Sequence, residues 1–202
     1  MTNRNTVREA YDELAEAYAS VRSENGQDMD ILAEFLEPLP SEATILDAGC
    51  GQGTPVFREL DDVATAVGLD LSRAQLQLTT ENVPGGRLVQ GDLSHLPVAD
   101  GVFDAVTAYH TLIHVPLDAH QTVITEFARA LRPGGRLLLT ESPAEWTGAN
   151  PDWLDTGVEM QWSMAGAEPT REQLRDAGFT IVDEWDVNDD EHWIFFAAEL
   201  AC

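Results

Sequence analysis

ILDAGCGQGTP, residues 45–55, sets a short apolar run ending in Asp47 against a loop built on Gly49, Gly51 and Gly53. An apolar run bounded by glycine reads as a buried strand that feeds a tight turn and then a helix. The dinucleotide fingerprint G-x-G-x-x-G puts its last glycine five positions after its first, whereas Gly53 follows Gly49 by four. The loop is therefore expected to hold a different ligand. Thr54 is placed to cap the helix that follows and Pro55 to take its first position, which leaves backbone N–H groups directed at an anion. Asp47 beside them suits an ammonium group and repels a pyrophosphate. A ligand with both charges, such as an amino acid, satisfies the loop and the aspartate together.

Outward from this loop, strands and helices alternate. TILDAG, TAVGLDL, GRLVQGDL, FDAVTAYHTL and GRLLLTES read as buried strands, with PVFRELDDV, SRAQLQLTTEN and LDAHQTVITEFARAL as helices between them. Such alternation requires crossover connections and so a mostly parallel sheet covered on both faces, a three-layer, doubly wound α/β fold. Upstream, Val7, Tyr11, Leu14 and Tyr18 recur at helical spacing and predict a helix over 6–19, and MDILAEFLEPL predicts a second, stopped near Pro38. Downstream, after the helix TREQLRDAG, the β-rich runs FTIVDEWDV and HWIFFAAEL are separated only by residues 188–191. That is hairpin length, and it makes one strand antiparallel. Residues 143–168, rich in Trp and Met, are expected to form a long irregular segment. The chain is read as one domain, 1–202, with a helical cap (1–40), a ligand-binding core (41–142), a lid segment (143–168) and a C-terminal helix and hairpin (169–202).

The 202 residues are 44% hydrophobic and carry 36 acidic against 11 basic side chains, a formal net charge of -25. Every cation is an arginine; there is no lysine. A surface this acidic repels itself in dilute buffer and is tolerated where salt shortens the Debye length to about 3 Å at 1 M. The composition thus predicts the cytoplasm of a salt-loving cell, a halophilic archaeon. Cys50 sits within the glycine loop, far in sequence from Cys202, so Cys50 reads as a small packed residue and no disulfide is expected. No window approaches the roughly 18 apolar residues of a membrane span, and the first residues have no apolar signal region. A soluble, unexported protein is expected. The sequence offers neither a basic stripe nor an N/D-P-P-Y/F motif, which argues against a nucleic-acid partner.

In open α/β sheets the ligand lies beyond the carboxyl ends of the strands. Asp70, in GLDLS, stands at the second strand tip, where a carboxylate accepts from two ribose hydroxyls. Asp92, in QGDLSHLP, stands at the third, where it can accept from an exocyclic amine. Three carboxylates on successive tips suit a zwitterion, a sugar and an amino-bearing base. S-adenosylmethionine presents these in that order. The series DAGCGQG, GLDLS, GDLSHLPVADGVFDAV, LIHVPLD and ARALRPGGRLLL resembles that of class I S-adenosylmethionine-dependent methyltransferases. Within them it is most similar to the small-molecule group of type 11, which includes ubiquinone and menaquinone biosynthesis enzymes. The resemblance runs from about residue 7 onward and implies a Rossmann-like sheet of seven strands with an antiparallel last strand. It assigns Asp47, Gly49, Gly51 and Gly53 to the methionine end of the cofactor, Asp70 with Leu71 to the ribose, and Asp92 with Leu93 to adenine. It places Tyr109 and His110 near the methionine portion. Tyr11 and Tyr18 either cover the cofactor or pack an amphipathic helix, and Arg22 either meets the cofactor carboxylate or is a solvated surface residue.

Methyl transfer from a sulfonium is an in-line displacement, and orientation alone can supply roughly 7–11 kcal/mol. No dedicated base is demanded. Should the acceptor have to lose a proton, His110 and His114 are the candidate catalytic residues, with a structural role as the alternative for His114. Their spacing falls on a strand end and loop with no third ligand, so no metal site is expected. Trp146, Trp153, Met160, Trp162 and Met164 either line a pocket for an apolar or aromatic acceptor or pack a lid over the sheet. The expected activity is methyl transfer from S-adenosylmethionine to a small-molecule acceptor. The alternatives are an NAD-dependent oxidoreductase, against which Asp47 and the glycine spacing count, and a non-catalytic protein that only binds S-adenosylmethionine.

Overall fold

The computed structural model of the protein describes residues 2–21, 26–188 and 192–202. Arg22 and residues 189–191 of the predicted hairpin connection lie outside them. The chain opens with α1 (Arg4–Val21) and α2 (Gln27–Leu36), then alternates through β1 (Thr44–Ala48), α3 (Val56–Val63), β2 (Thr65–Asp70), α4 (Arg73–Asn82), β3 (Arg87–Gln90) and β4 (Phe103–Ala108). There follow α5 (His120–Ala130), β5 (Leu131–Glu141), β6 (Trp146–Trp153), β7 (Val158–Met164), α6 (Ala167–Asp176), β8 (Phe179–Asn188) and β9 (His192–Leu200). Seven strands form one sheet in the order β3-β2-β1-β4-β5-β9-β8. The first five are parallel, and β9 runs antiparallel to both neighbours, β5 and β8. This is the expected seven-stranded, mostly parallel Rossmann-like α/β fold. Strand order reverses between β1 and β4, which opens a crevice above their carboxyl ends.

Both faces of the sheet are buried, so its strands read as continuous apolar runs rather than alternating ones. Leu46, Val106, Leu137 and Phe196 pack with Val123, Ile124 and Phe127 of α5 on one face. Their immediate neighbours Ile45, Ala105, Leu138 and Phe195 pack with Phe35 of α2 and with Phe57 and Leu60 of α3 on the other. The two-residue period of the strand sorts one apolar run into two cores.

Three expectations require correction. Residues 143–168 are not irregular: β6 and β7 pair antiparallel as a separate two-stranded sheet. Val158, Met160 and Trp162, at every second position of β7, meet Val7, Ala10, Tyr11 and Leu14 of α1. A strand face and a helix stripe thus bury one another, a match that Gly148 and Pro151 conceal in the sequence. Helix α3 begins at Val56 with Pro55 as its flanking residue and without a side-chain cap; Thr54 instead receives a hydrogen bond from Gln52 Nε2 at 3.3 Å. Strand β4 stops at Ala108, because His110 takes φ 49° and a short 3-10 turn, Leu112–His114, follows. Left-handed backbone cannot extend a strand. Among the described residues no helix is long and apolar enough to cross a membrane.

Candidate functional site

The backbone N–H groups of Gly49 and Cys50 both donate to the carbonyl of Leu69, at 2.7 and 3.0 Å, which folds the glycine loop over the end of β2. At Gly49, φ is +84° and a Cβ would stand 2.1 Å from Thr111 Oγ1. Glycine is required there on both counts. At Gly51, φ is +55° and a Cβ would meet nothing nearer than Gln75 Oε1 at 3.8 Å, so it would project into the ligand space instead. Gly53 has a different task, admitting Thr79 of α4 to within 2.6 Å of where its Cβ would be.

Between the loop, the strand tips and α1 lies a cavity of about 500 Å³. Its wall brings together Gly49, Gly51, Asp70, Leu71, Asp92, Leu93, Tyr109, His110 and His114, with Tyr11 and Tyr18 from α1. Asp47 lies in an adjoining chamber of about 50 Å³ that it shares with Gln52, Tyr18 and Tyr109. Of the described residues predicted to bind cofactor, only Gly53 lines neither space.

The charged groups are held by short hydrogen bonds. Asp70 accepts from the backbone N–H groups of Gly51 at 2.9 Å and Ser72 at 2.8 Å. Desolvation outweighs these bonds and pushes its pKa up to about 6. Asp47 is buried and accepts from Thr107 Oγ1 at 2.8 Å. Beside it, the side-chain oxygen of Gln52 is buried and receives no hydrogen bond from the described residues. A buried acceptor such as the Gln52 oxygen calls for a donor, and an ammonium group supplies several. Asp92 is held from both sides. One of its oxygens takes both Ser94 N and Ser94 Oγ, at 2.9 and 2.8 Å, and the other pairs with Arg4 of α1.

Helix α1 is fixed over the cavity by contacts that sequence reading missed. Asp12 accepts from Ser72 Oγ at 2.7 Å and Ala74 N at 3.2 Å, so that it docks α1 onto the N-terminus of α4. The helix-start N–H groups and dipole favour a carboxylate there, yet nothing near Asp12 in the sequence names its partner. Tyr11 Oη lies 2.8 Å from His114 Nε2, and His114 Nδ1 lies 3.1 Å from the carbonyl oxygen of Gln161 in β7. Desolvation pushes the pKa of His114 down to about 4. His110 packs at the cavity edge against Trp193, ring centroids 4.6 Å apart. None of the five lid Trp and Met residues lines the cavity. Met160 is fully buried against α1, Trp153 packs on Tyr18 at 5.5 Å and on Trp162 at 5.5 Å, and Trp146 is half-exposed. Met160, Trp153 and Trp162 thus pack against α1. At the base of the hairpin, Glu141 is fully buried, accepts from Ser142 N at 2.7 Å and Ala165 N at 3.3 Å, and has its pKa pushed up to about 7 by burial.

A doubly wound sheet with acidic side chains at the tips of β1, β2 and β3 defines a binder of a polar, donor-rich ligand. Residues 46–139 match the methyltransferase domain family. An uncharacterized methyltransferase of Synechocystis sp. is 32% identical over 143 residues, which make up 68% of this chain and 67% of that protein. The 27-O-demethylrifamycin SV methyltransferase of Amycolatopsis mediterranei is 38% identical over 161 residues, 76% of this chain and 52% of that one. Among solved structures, the 1,6-didemethyltoxoflavin-N1-methyltransferase of Burkholderia thailandensis, bound to 1,6-didemethyltoxoflavin and S-adenosylhomocysteine, matches with a TM-score of 0.77 at 21% identity, covering 98% of this chain and 88% of that chain. The chain belongs to the methyltransferase domain family and has the fold of class I S-adenosylmethionine-dependent methyltransferases. It spans 37–58% of the length of several other curated relatives that it matches.

Proposed function

We propose that the protein transfers a methyl group from S-adenosylmethionine to a small-molecule acceptor by in-line displacement. The observation that carries this reading is the order of groups across the sheet, set by the neighbouring strands β1, β2 and β3: Asp47 with Gln52 in the small chamber, then Asp70, then Asp92 on the adjoining cavity. The residues fit the cofactor, since a buried oxygen of Gln52 that has no hydrogen bond from the described residues shares a chamber with Asp47, and a side chain at Gly51, which lines the same space, would enter the cradle. Bound there, S-adenosylmethionine supplies a methyl group on a positively charged sulfur. Asp47 and Gln52 accept from its ammonium, and Asp70 accepts from the ribose hydroxyls. Asp92 accepts from the adenine amine while sharing its carboxylate with Arg4, and Leu71 and Leu93 enclose the base. Tyr109 and His110 wall the methionine portion, with Tyr11 and Tyr18 covering it. His110, at the cavity edge, is assigned to any proton removal the acceptor needs. Relatives named for acting on 27-O-demethylrifamycin SV and 1,6-didemethyltoxoflavin support a small organic acceptor. The net charge of -25 and the absence of lysine support a halophile's cytoplasm.

Calorimetry with S-adenosylmethionine in molar KCl tests the assignment. The native chain should bind, and Asp70→Ala should weaken binding at least about tenfold through loss of a charged acceptor. Affinity should also fall as pH drops through about 6, the pKa of Asp70, because the protonated carboxyl accepts hydrogen bonds less well than the carboxylate. Equal affinity in native and variant chains would remove Asp70 from the ribose site.

A further inference from the structure

Helix α1 lies lengthwise along the cavity. Arg4, in its first turn, pairs with Asp92 at one end, and Tyr18, near its other end, lines the chamber of Asp47. Tyr11 stands seven residues from each, about 10 Å of helical rise either way, and lines the main cavity between them. On the cofactor reading proposed above, a ligand stretched from Asp92 to Asp47 presents its middle, the sulfur, to Tyr11.

The direction of the Tyr11 hydroxyl follows from its neighbours. The Gln161 carbonyl, 3.1 Å from His114 Nδ1, can only accept, so Nδ1 carries the ring hydrogen. With its pKa pushed down to about 4 by desolvation, the ring is neutral at physiological pH and Nε2 is a bare acceptor. Tyr11, 2.8 Å away, therefore donates its hydrogen to His114. Any further group that meets the Tyr11 oxygen must bring a hydrogen or a positive charge. His114 has one more contact that holds this arrangement: its ring packs against Trp162 of the hairpin at 6.0 Å.

We propose that His114 is a positioning residue for Tyr11, and that the pair raises the affinity of the cavity for a sulfonium relative to a neutral thioether. The oxygen of Tyr11 turns the negative end of its dipole toward the ligand's centre. Neutral His114 adds no opposing charge. The reaction converts the sulfonium to the thioether S-adenosylhomocysteine, so this preference lets fresh S-adenosylmethionine compete with the product for the cavity.

Calorimetry in molar KCl with S-adenosylmethionine and S-adenosylhomocysteine reads the ratio of the two affinities. Tyr11→Phe should lower the sulfonium-to-thioether ratio about five- to tenfold, chiefly through the sulfonium. His114→Leu, which frees the hydroxyl hydrogen to turn into the cavity, should lower it comparably. His114→Gln offers the hydroxyl an acceptor again and should restore most of the ratio. An unchanged ratio in Tyr11→Phe, or equal weakening of both ligands, overturns the proposal. Nitrogen-15 spectra of the ligand-free protein should show His114 protonated at Nδ1 and bare at Nε2, with the Nε2 signal displaced in Tyr11→Phe; the opposite tautomer also overturns it. If the native chain binds neither compound, the cofactor reading fails, and the nitrogen spectra still decide the role of His114.

Discussion

The floor and the roof of the cavity are built on different principles. The floor is backbone: a glycine loop hydrogen-bonded to the end of β2, with carboxylates at successive strand tips. The roof is side chain: α1 and the β6–β7 hairpin bury Met160, Val7 and Leu14 between them and join the floor through Tyr11, Asp12 and Arg4. The floor has one geometry that the main chain can adopt, and the roof is a small separate core resting on a few polar contacts. Of the two, the smaller core is the cheaper one to open.

Substitutions can break or sharpen this contrast. Gly49→Ala should cause the greatest loss, about 3 kcal/mol or more in denaturant unfolding, from positive φ together with the clash at Thr111. Gly51→Ala, which meets no close atom, should cost only about 1 kcal/mol of stability while abolishing cofactor binding. If the two variants unfold alike, the floor is not held by close approach at Gly49. Met160→Ala, in the roof, should cost about 2–3 kcal/mol, and hydrogen exchange should quicken in α1 and β7 while β1 and β4 stay protected. Uniform quickening across the sheet would make roof and floor one cooperative unit. A pH-dependent effect is expected at their seam, Glu141. Its folded pKa of about 7 lies above the usual carboxylate value of 4.5. The folded state therefore holds the proton more tightly, and stability from this group is full below about pH 4.5 and lost as pH rises through 7. Glu141→Gln should accordingly gain about 1–2 kcal/mol on the native chain at pH 8 and little at pH 5. A constant difference across that range would place the titration elsewhere.

The floor was legible in the sequence because its residues are dictated locally. Glycine spacing, a carboxylate at the end of each apolar run and the alternation of strand with helix each follow from a few adjacent positions, and the structure brings Asp47, Asp70, Tyr109 and His110 to one crevice. The roof was not, because its logic is pairing at a distance. Nothing in the run containing Met160 says that its alternate positions face Val7 and Leu14, and nothing beside Asp12 or Arg4 points to Ser72 or Asp92. The same holds for His114, whose neighbours in sequence suggested chemistry while its neighbours in space, Tyr11 and Gln161, suggest support.

The reversed strand β9 has a consequence for how the polypeptide is made. It is the last strand of the sheet in chain order, yet it sits between β5 and β8, and among the described residues β8 pairs with no other strand. As the nascent chain leaves the ribosome, β8 must wait unpaired and β5 keeps a raw margin until β9 is released to fill the gap. Phe195 and Phe196, one for each buried face, arrive with it. Completion of both hydrophobic layers is thus deferred to the end of translation of this region, and stalling before residue 192 would leave an adhesive intermediate exposed to aggregation.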